Sequence, residues 1–258
     1  MKLENWQILS DRGPDLVACL DFPGARAAAG FAELVDGSPV DACFLHLRQA
    51  TASPLAVCVK QWAAELVATG RPVRAVLGYC GGAALAAGLA DALAASGPPP
   101  LIVLFDALVT TGWLIVGEFL AAVESSARNL TAQELADARS LVDHLMATDP
   151  DDLTGIAAAA VEQYGRLMRA VAGRLSLPEY VHEQLTAGFT AYVDFLLLAG
   201  EGGFDARAAS PLFVVSAGFE APMEGARTLA LDVGHDDLLR DPKVHRLVAD
   251  LIEGDTPW

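Results

Sequence analysis

Cys80 sits in the stretch Gly78-Tyr79-Cys80-Gly81-Gly82, after an apolar run at 73–77 and before an alanine-rich stretch that opens at Ala83. A G-x-C-x-G sequence between a strand and a helix lifts one nucleophilic side chain out of a sharp turn. Flanking glycines relieve the crowding of a strained backbone. The N-terminus of the following helix points free N–H groups and a positive dipole end at the sulfur, which favours thiolate. The chemistry implied is nucleophilic acyl transfer, with a base to take the thiol proton and a third group to orient the base.

Gly234-His235-Asp236 follows the last strand-like run, where the order nucleophile, acid, histidine places the base. The other histidines read as packing or surface residues: His46 ends a strand, His144 and His182 lie in helical stretches, and His245 is inside the final helix. Two carboxylates compete to orient His235. Asp106 ends the run 101–105, at the carboxyl end of the sheet where such sites gather, and Glu220 follows the run 211–215. The oxyanion formed on acyl transfer needs two N–H donors, expected from Gly81 and from Gly24 in the loop Phe22-Pro23-Gly24-Ala25. Cys19 and Cys43 fall in apolar strand-like runs and Cys58 at a helix start, all places where cysteine acts as a small buried hydrophobe. No CxxC pair or metal-ligand spacing appears, so zinc and dithiol redox chemistry are not indicated and no metal is expected.

These residues need a scaffold, and the apolar pattern supplies one. Short runs at 16–20, 42–47, 73–77 and 101–105 alternate with helical stretches at about 26–35, 54–69 and 81–95. Near-continuous apolar strands separated by helices predict an α/β fold, with a mostly parallel sheet covered by helices on both faces. From about 113 to 200 only helical patterns occur, at 118–129, 132–147, 152–174 and 178–199. Strands resume at 211–215 and 228–231, and a helix at about 242–252 follows. The reading is one domain over 1–258 with a helical lid inserted at about 113–200.

Seventeen basic against thirty-three acidic side chains give a net charge of −16, which excludes nucleic acid and an anionic membrane surface as partners. Apolar residues make up 53% of the chain, yet no run reaches the roughly 18 to 20 residues of a membrane span. The first residues carry no secretory leader pattern, so the expected compartment is the cytoplasm.

Taken together, Phe22-Pro23, the turn at 78–82, Leu104-Phe105-Asp106 and Gly234-His235-Asp236-Asp237-Leu238-Leu239 resemble the thioesterase branch of the α/β-hydrolases. That branch releases acyl chains from polyketide and nonribosomal-peptide carrier proteins, and its lid sits where the helical insert falls. Cys80 departs from the usual serine. A cysteine on a chain that looks freestanding is similar to Dieckmann cyclases with a Cys-His-Asp triad, which release tetramic acids or pyridones in antibiotic biosynthesis. The resemblance implies Cys80 as nucleophile, His235 as base and Asp106 as its orienter. It also implies substrate contacts from Phe22, Tyr79 and Trp113 and an acyl or peptidyl carrier protein as partner. No cofactor is implied beyond the carrier's own phosphopantetheine. Arg166, Arg169 and Arg174 share one helical stretch but read as a solvated face, so docking residues stay unassigned.

A hydrolytic or macrocyclising thioesterase would use the same residues. Gly-Tyr-Cys is also similar to dienelactone hydrolases, though these lack a long helical lid and carry the acid nearer the histidine. A non-catalytic protein on this fold would leave Cys80 with ordinary thiol reactivity.

Overall fold

Near-continuous burial along short apolar strands builds the sheet of the computed structural model, which describes residues 3–23, 28–48, 53–207 and 209–254. The strands are β1 (Trp6–Asp11), β2 (Leu16–Leu20), β3 (Cys43–Leu47), β4 (Val73–Tyr79), β5 (Leu101–Phe105), β6 (Leu212–Val215) and β7 (Thr228–Ala230). They form one seven-stranded sheet in the order β1-β3-β2-β4-β5-β6-β7. Every pairing is parallel except that of β1 with β3. The edge strand β1 was not foreseen. Its burial is irregular and mostly exposed, so it carries no clean period of two.

The helices of this part are α1 (Phe31–Gly37), α2 (Leu55–Val67), α3 (Ala83–Ala94) and α8 (Pro242–Glu253). Helix α1 starts later than the pattern at 26–35 suggested, because the Glu33 carboxylate accepts from the Gly30 N–H and fixes the start at Phe31. Side chains of Val17, Phe44, Leu77, Val103 and Val214 share one face of the sheet with Phe31 and Leu34 of α1 and Val244 and Val248 of α8. Helices α2 and α3 pack on each other, and α3 packs on β2, β4 and β5. Helix α8 is held at Gly37: a Cβ there would fall 2.0 Å from the ring of His245, whose Nε2 donates to the Leu239 carbonyl. His245 is thus a packing residue, as expected.

The chain divides into two compact units, residues 1–109 with 201–258, and residues 110–200. The second unit is all helical: α4 (Gly112–Ser125), α5 (Ala132–Thr148), α6 (Leu153–Arg174) and α7 (Glu179–Gly200). Helix α4 starts six residues before the predicted 118, because the Thr111 hydroxyl accepts from the Leu114 N–H and caps it. Phe189 packs against Phe119 and Tyr164 inside the unit, with ring centroids 6.3 and 4.4 Å away respectively. No described helix is long and apolar enough to cross a membrane.

Two of the three arginines on α6 are engaged locally. Arg166 pairs with Glu162 one turn away at 3.9 Å. Arg174 donates to both oxygens of Glu134 and to the Asn129 carbonyl, which ties the end of α6 to the start of α5. The Arg174 guanidinium, and then the Thr131 N–H, hold the Glu134 carboxyl down to about 2 from its ordinary 4.5. The carboxylate therefore stabilises the folded unit above about pH 4.5, and that contribution is lost as pH falls towards 2. Thermal melts of wild type and Glu134→Gln followed by circular dichroism should separate at pH 6 and converge near pH 2, the wild type being the more stable at pH 6.

Candidate active site

Register brings the chemistry-bearing residues to one end of the sheet. Leu20 pairs with Gly78, Tyr79 with Phe105, and Phe105 with Val214, so β2, β4, β5 and β6 end level with one another. The next residues along the chain are Asp21, Cys80, Asp106 and, one beyond Val215, Ser216. All belong to the first unit.

Strand β4 runs two residues past the predicted 77, and Cys80 opens a single 3₁₀ turn, Cys80–Gly82, that leads into α3. Cys80 has φ +54°, a left-handed conformation that costs a non-glycine residue about 1–2 kcal/mol. The neighbouring glycines make the turn possible. A Cβ on Gly78 would lie 2.5 Å from the Ala83 Cα, and one on Gly82 would lie 2.1 Å from the Leu20 carbonyl oxygen. The Cys80 carbonyl is tied in turn by the Leu108 N–H at 3.3 Å. Cys80 is half-buried, whereas Cys19, Cys43 and Cys58 are buried. Burial pushes the Cys19 thiol well up, and burial also raises that of Cys43, so neither is a nucleophile at neutral pH.

Asp106 follows β5, fully buried and also left-handed at φ +40°. Its Oδ2 lies 2.7 Å from His235 Nδ1, and its Oδ1 accepts from the Ser216 N–H at 2.7 Å. Both carboxylate oxygens thus have a partner, as a buried charge requires. Glu220, the rival acid, is exposed, and the Nδ1 it would have to orient is on Asp106. His235 opens a 3₁₀ segment, His235–Arg240, and its side chain is 41% exposed. Its ring stacks near Tyr79 at 5.4 Å and near Phe219 at 6.1 Å, with interplanar angles of 26° and 10°.

The remaining candidates divide. Gly81 is buried within the 3₁₀ turn just before α3. Phe22 is half-buried and lines a cleft of about 270 Å³ with Asp21, Phe31, Glu33 and His46. Its own N–H donates to Asp21 Oδ1 at 2.7 Å, and Pro23 has no N–H, so Gly24 is the next donor along that loop. Gly24 lies outside the described residues. Trp113 belongs to the second unit and is 67% exposed. Tyr79 requires a correction. It is fully buried on the α1 and α8 face of the sheet, in line with Ala75 and Leu77, and cannot present its ring to a substrate. Its hydroxyl lies 3.2 Å from His235 Nε2 and donates to the His235 carbonyl oxygen at 3.2 Å. The Tyr79 and Ser216 contacts were missed. The alternation Ala75, Leu77, Tyr79 signalled the burial of Tyr79, but a backbone N–H such as that of Ser216 leaves no mark on sequence.

A larger cavity of about 650 Å³, lined by Arg71, Leu101 and Ile252, opens at the amino ends of β4 and β5, away from Cys80. Among the described residues no group of three His, Cys, Asp or Glu side chains could hold a metal ion.

No family model matches the chain, and no curated protein matches it in sequence. Solved structures do match in fold. A four-domain nonribosomal peptide synthetase, holo-AB3403, aligns with 98% of this chain at 14% identity and a TM-score of 0.57, the match covering 20% of that larger chain. SrfTE, the thioesterase domain that cyclises the lipopeptide antibiotic surfactin, aligns at 14% identity over 99% of this chain and 97% of its own, TM-score 0.53. MGS-M2, an α/β-hydrolase enzyme from a Medee basin deep-sea metagenome library, aligns at 13% identity over 98% and 94%, TM-score 0.51. The chain has the α/β-hydrolase fold.

The turn makes a sharp prediction about two glycines. Gly82→Ala pushes a methyl into backbone and should destabilise the protein by about 2–3 kcal/mol in urea unfolding. Gly88→Ala meets only the Val59 side chain at 3.5 Å and should be neutral, or stabilising by up to about 1 kcal/mol.

Proposed function

We propose that this protein releases an acyl chain from a carrier-protein thioester through an acyl-thioenzyme on Cys80, and that release occurs by Dieckmann closure to a tetramic acid or pyridone. The observation that carries this reading is a half-buried cysteine at φ +54° between β4 and α3, at the carboxyl end of the sheet that also carries the Asp106–His235 pair. The shared fold of SrfTE along nearly its whole length adds support, since that domain also ends its chemistry in ring formation.

In this reading His235, oriented by Asp106, takes the proton of Cys80. The thiolate adds to the carbonyl carbon of the carrier's thioester, and the Gly81 N–H stabilises the oxyanion. The pantetheine C–S bond breaks, and that thiol leaves with the proton held on His235. The acidic methylene between two carbonyls of the bound chain then gives up a proton, with His235 as the acceptor. The carbanion attacks the thioester carbonyl, a C–C bond forms, and Cys80 departs as thiolate. Sulfur suits this second step, because thiolate is a far better leaving group than alkoxide and the thioester stays electrophilic. Water would divert the intermediate to free acid, so the helical insert at about 113–200 is read as a lid. Phe22 and Trp113 are candidate substrate contacts of the protein. The partner is an acyl or peptidyl carrier protein, and no cofactor is required beyond the carrier's arm.

Mass spectrometry of the products from a synthetic β-ketoacyl-aminoacyl thioester tests this directly, because the ring and the free acid differ by one water. Wild type should give the ring, and Cys80→Ala should give none. Free acid alone would replace cyclisation with hydrolysis. Asp106→Asn, which keeps the shape but spoils the orientation of His235, should lower turnover by about 10³–10⁴-fold.

A further inference from the structure

The motif residue Tyr79 has no task in the scheme above, yet its hydroxyl is placed on the base. We propose that Tyr79 is a positioning residue: its hydroxyl, 3.2 Å from both Nε2 and the carbonyl oxygen of His235, holds the imidazole and supports its protonated form. This rests on the reading of His235 as the base for Cys80.

A phenol has one hydrogen and two lone pairs. With that hydrogen given to the His235 carbonyl, only lone pairs face Nε2, and a short contact there is favourable when Nε2 carries a proton. Nδ1 carries its own proton towards Asp106 Oδ2. Both ring nitrogens then donate, which is the imidazolium created when Cys80 becomes thiolate. When the ring is neutral, the hydroxyl hydrogen turns to Nε2 and the contact survives in the opposite sense. That turn gives up the bond to the His235 carbonyl, so the hydroxyl keeps both contacts only when the ring is protonated.

Geometry keeps that oxygen in place. Tyr79 is fully buried at the end of β4, paired with Phe105, and packed on the face that carries Leu238 and Leu239 just past the base. The near-parallel Tyr79 ring, with Phe219 beyond, also presents π-faces to a cation. The next residue in the chain is the nucleophile, so one strand end aims the thiol and steadies its base. Tyr79→Phe removes the hydroxyl and leaves the ring.

The test is the pH dependence of Cys80 alkylation by iodoacetamide, mapped by peptide mass spectrometry, in wild type, Tyr79→Phe and His235→Ala. The buried Cys19, Cys43 and Cys58 serve as internal references. Wild type should react well below pH 8, and His235→Ala should move the midpoint to about 8.5, the free thiol value. Tyr79→Phe should fall between, moved up by about one unit, a tenfold loss of thiolate at neutral pH. Its kcat should fall about tenfold with KM little changed, and circular dichroism should stay native. A Tyr79→Phe profile superimposed on wild type overturns the proposal, whatever happens to melting temperature. If His235→Ala also leaves the profile unmoved, the assignment of the base itself fails. A second measurement needs no change at position 79. The ¹³Cζ resonance of Tyr79, observed with Tyr164, Tyr180 and Tyr192 replaced by Phe, should shift with the midpoint of the His235 ring. A Cζ signal indifferent to that titration overturns the proposal independently.

Discussion

Between Tyr79 and Ala83 the chain turns from a central strand into a helix within three residues, and the rest of the site follows from that constraint. Only a left-handed residue at Cys80 makes the reversal, at a cost of about 1–2 kcal/mol. The fold holds the strain because the turn is fixed from every side. Strand β4 is paired on both edges, Gly82 lies against the Leu20 carbonyl, and the Leu108 N–H holds the Cys80 carbonyl. Strain of this kind survives only where its surroundings over-determine it, and it is found at sites that need a side chain presented rather than packed. Asp106 repeats the device on the neighbouring strand, with φ +40° and a carboxylate turned to His235.

The electrostatics follow from the same alignment. A fully buried carboxylate is costly unless its oxygens are occupied. Asp106 meets this with the Ser216 N–H on one oxygen, brought level because β5 and β6 run parallel and in register, and with His235, from beyond β7, on the other. The His235 side chain is far less buried, 41% exposed, and Cys80 is half-buried. In the proposed reaction His235 must accept and return a proton twice in one cycle, which a wholly buried ring could not do.

Much of this was legible in the residues. Glycines at 78 and 82 around Cys80 marked the turn because only steric relief explains them there, and Asp106 was marked by ending an unbroken apolar strand. What escaped reading was held by partners far along the chain. The last two residues of β4 look like turn, yet they stay in the strand because Leu104 and Phe105 pair with them. Strand β1 has one side on β3 and little burial, so its residues show no pattern. Tyr79 was a substrate contact only by resemblance, and its hydroxyl contact could not be read because the partner lies 156 positions away. Asp106 was preferred to Glu220 on the residues alone, and its 2.7 Å contact with His235 Nδ1 is the geometry that sets it apart.

If Cys80 carries the acyl group, intact-protein mass spectrometry should capture it there. Brief exposure to a non-cyclisable acyl-pantetheine thioester, one lacking the acidic methylene, should add one acyl mass to the protein. Peptide mapping should place it on Cys80, and Asp106→Asn should slow its appearance. A protein that turns the thioester over with no acyl adduct, or an adduct on another residue, would contradict the account.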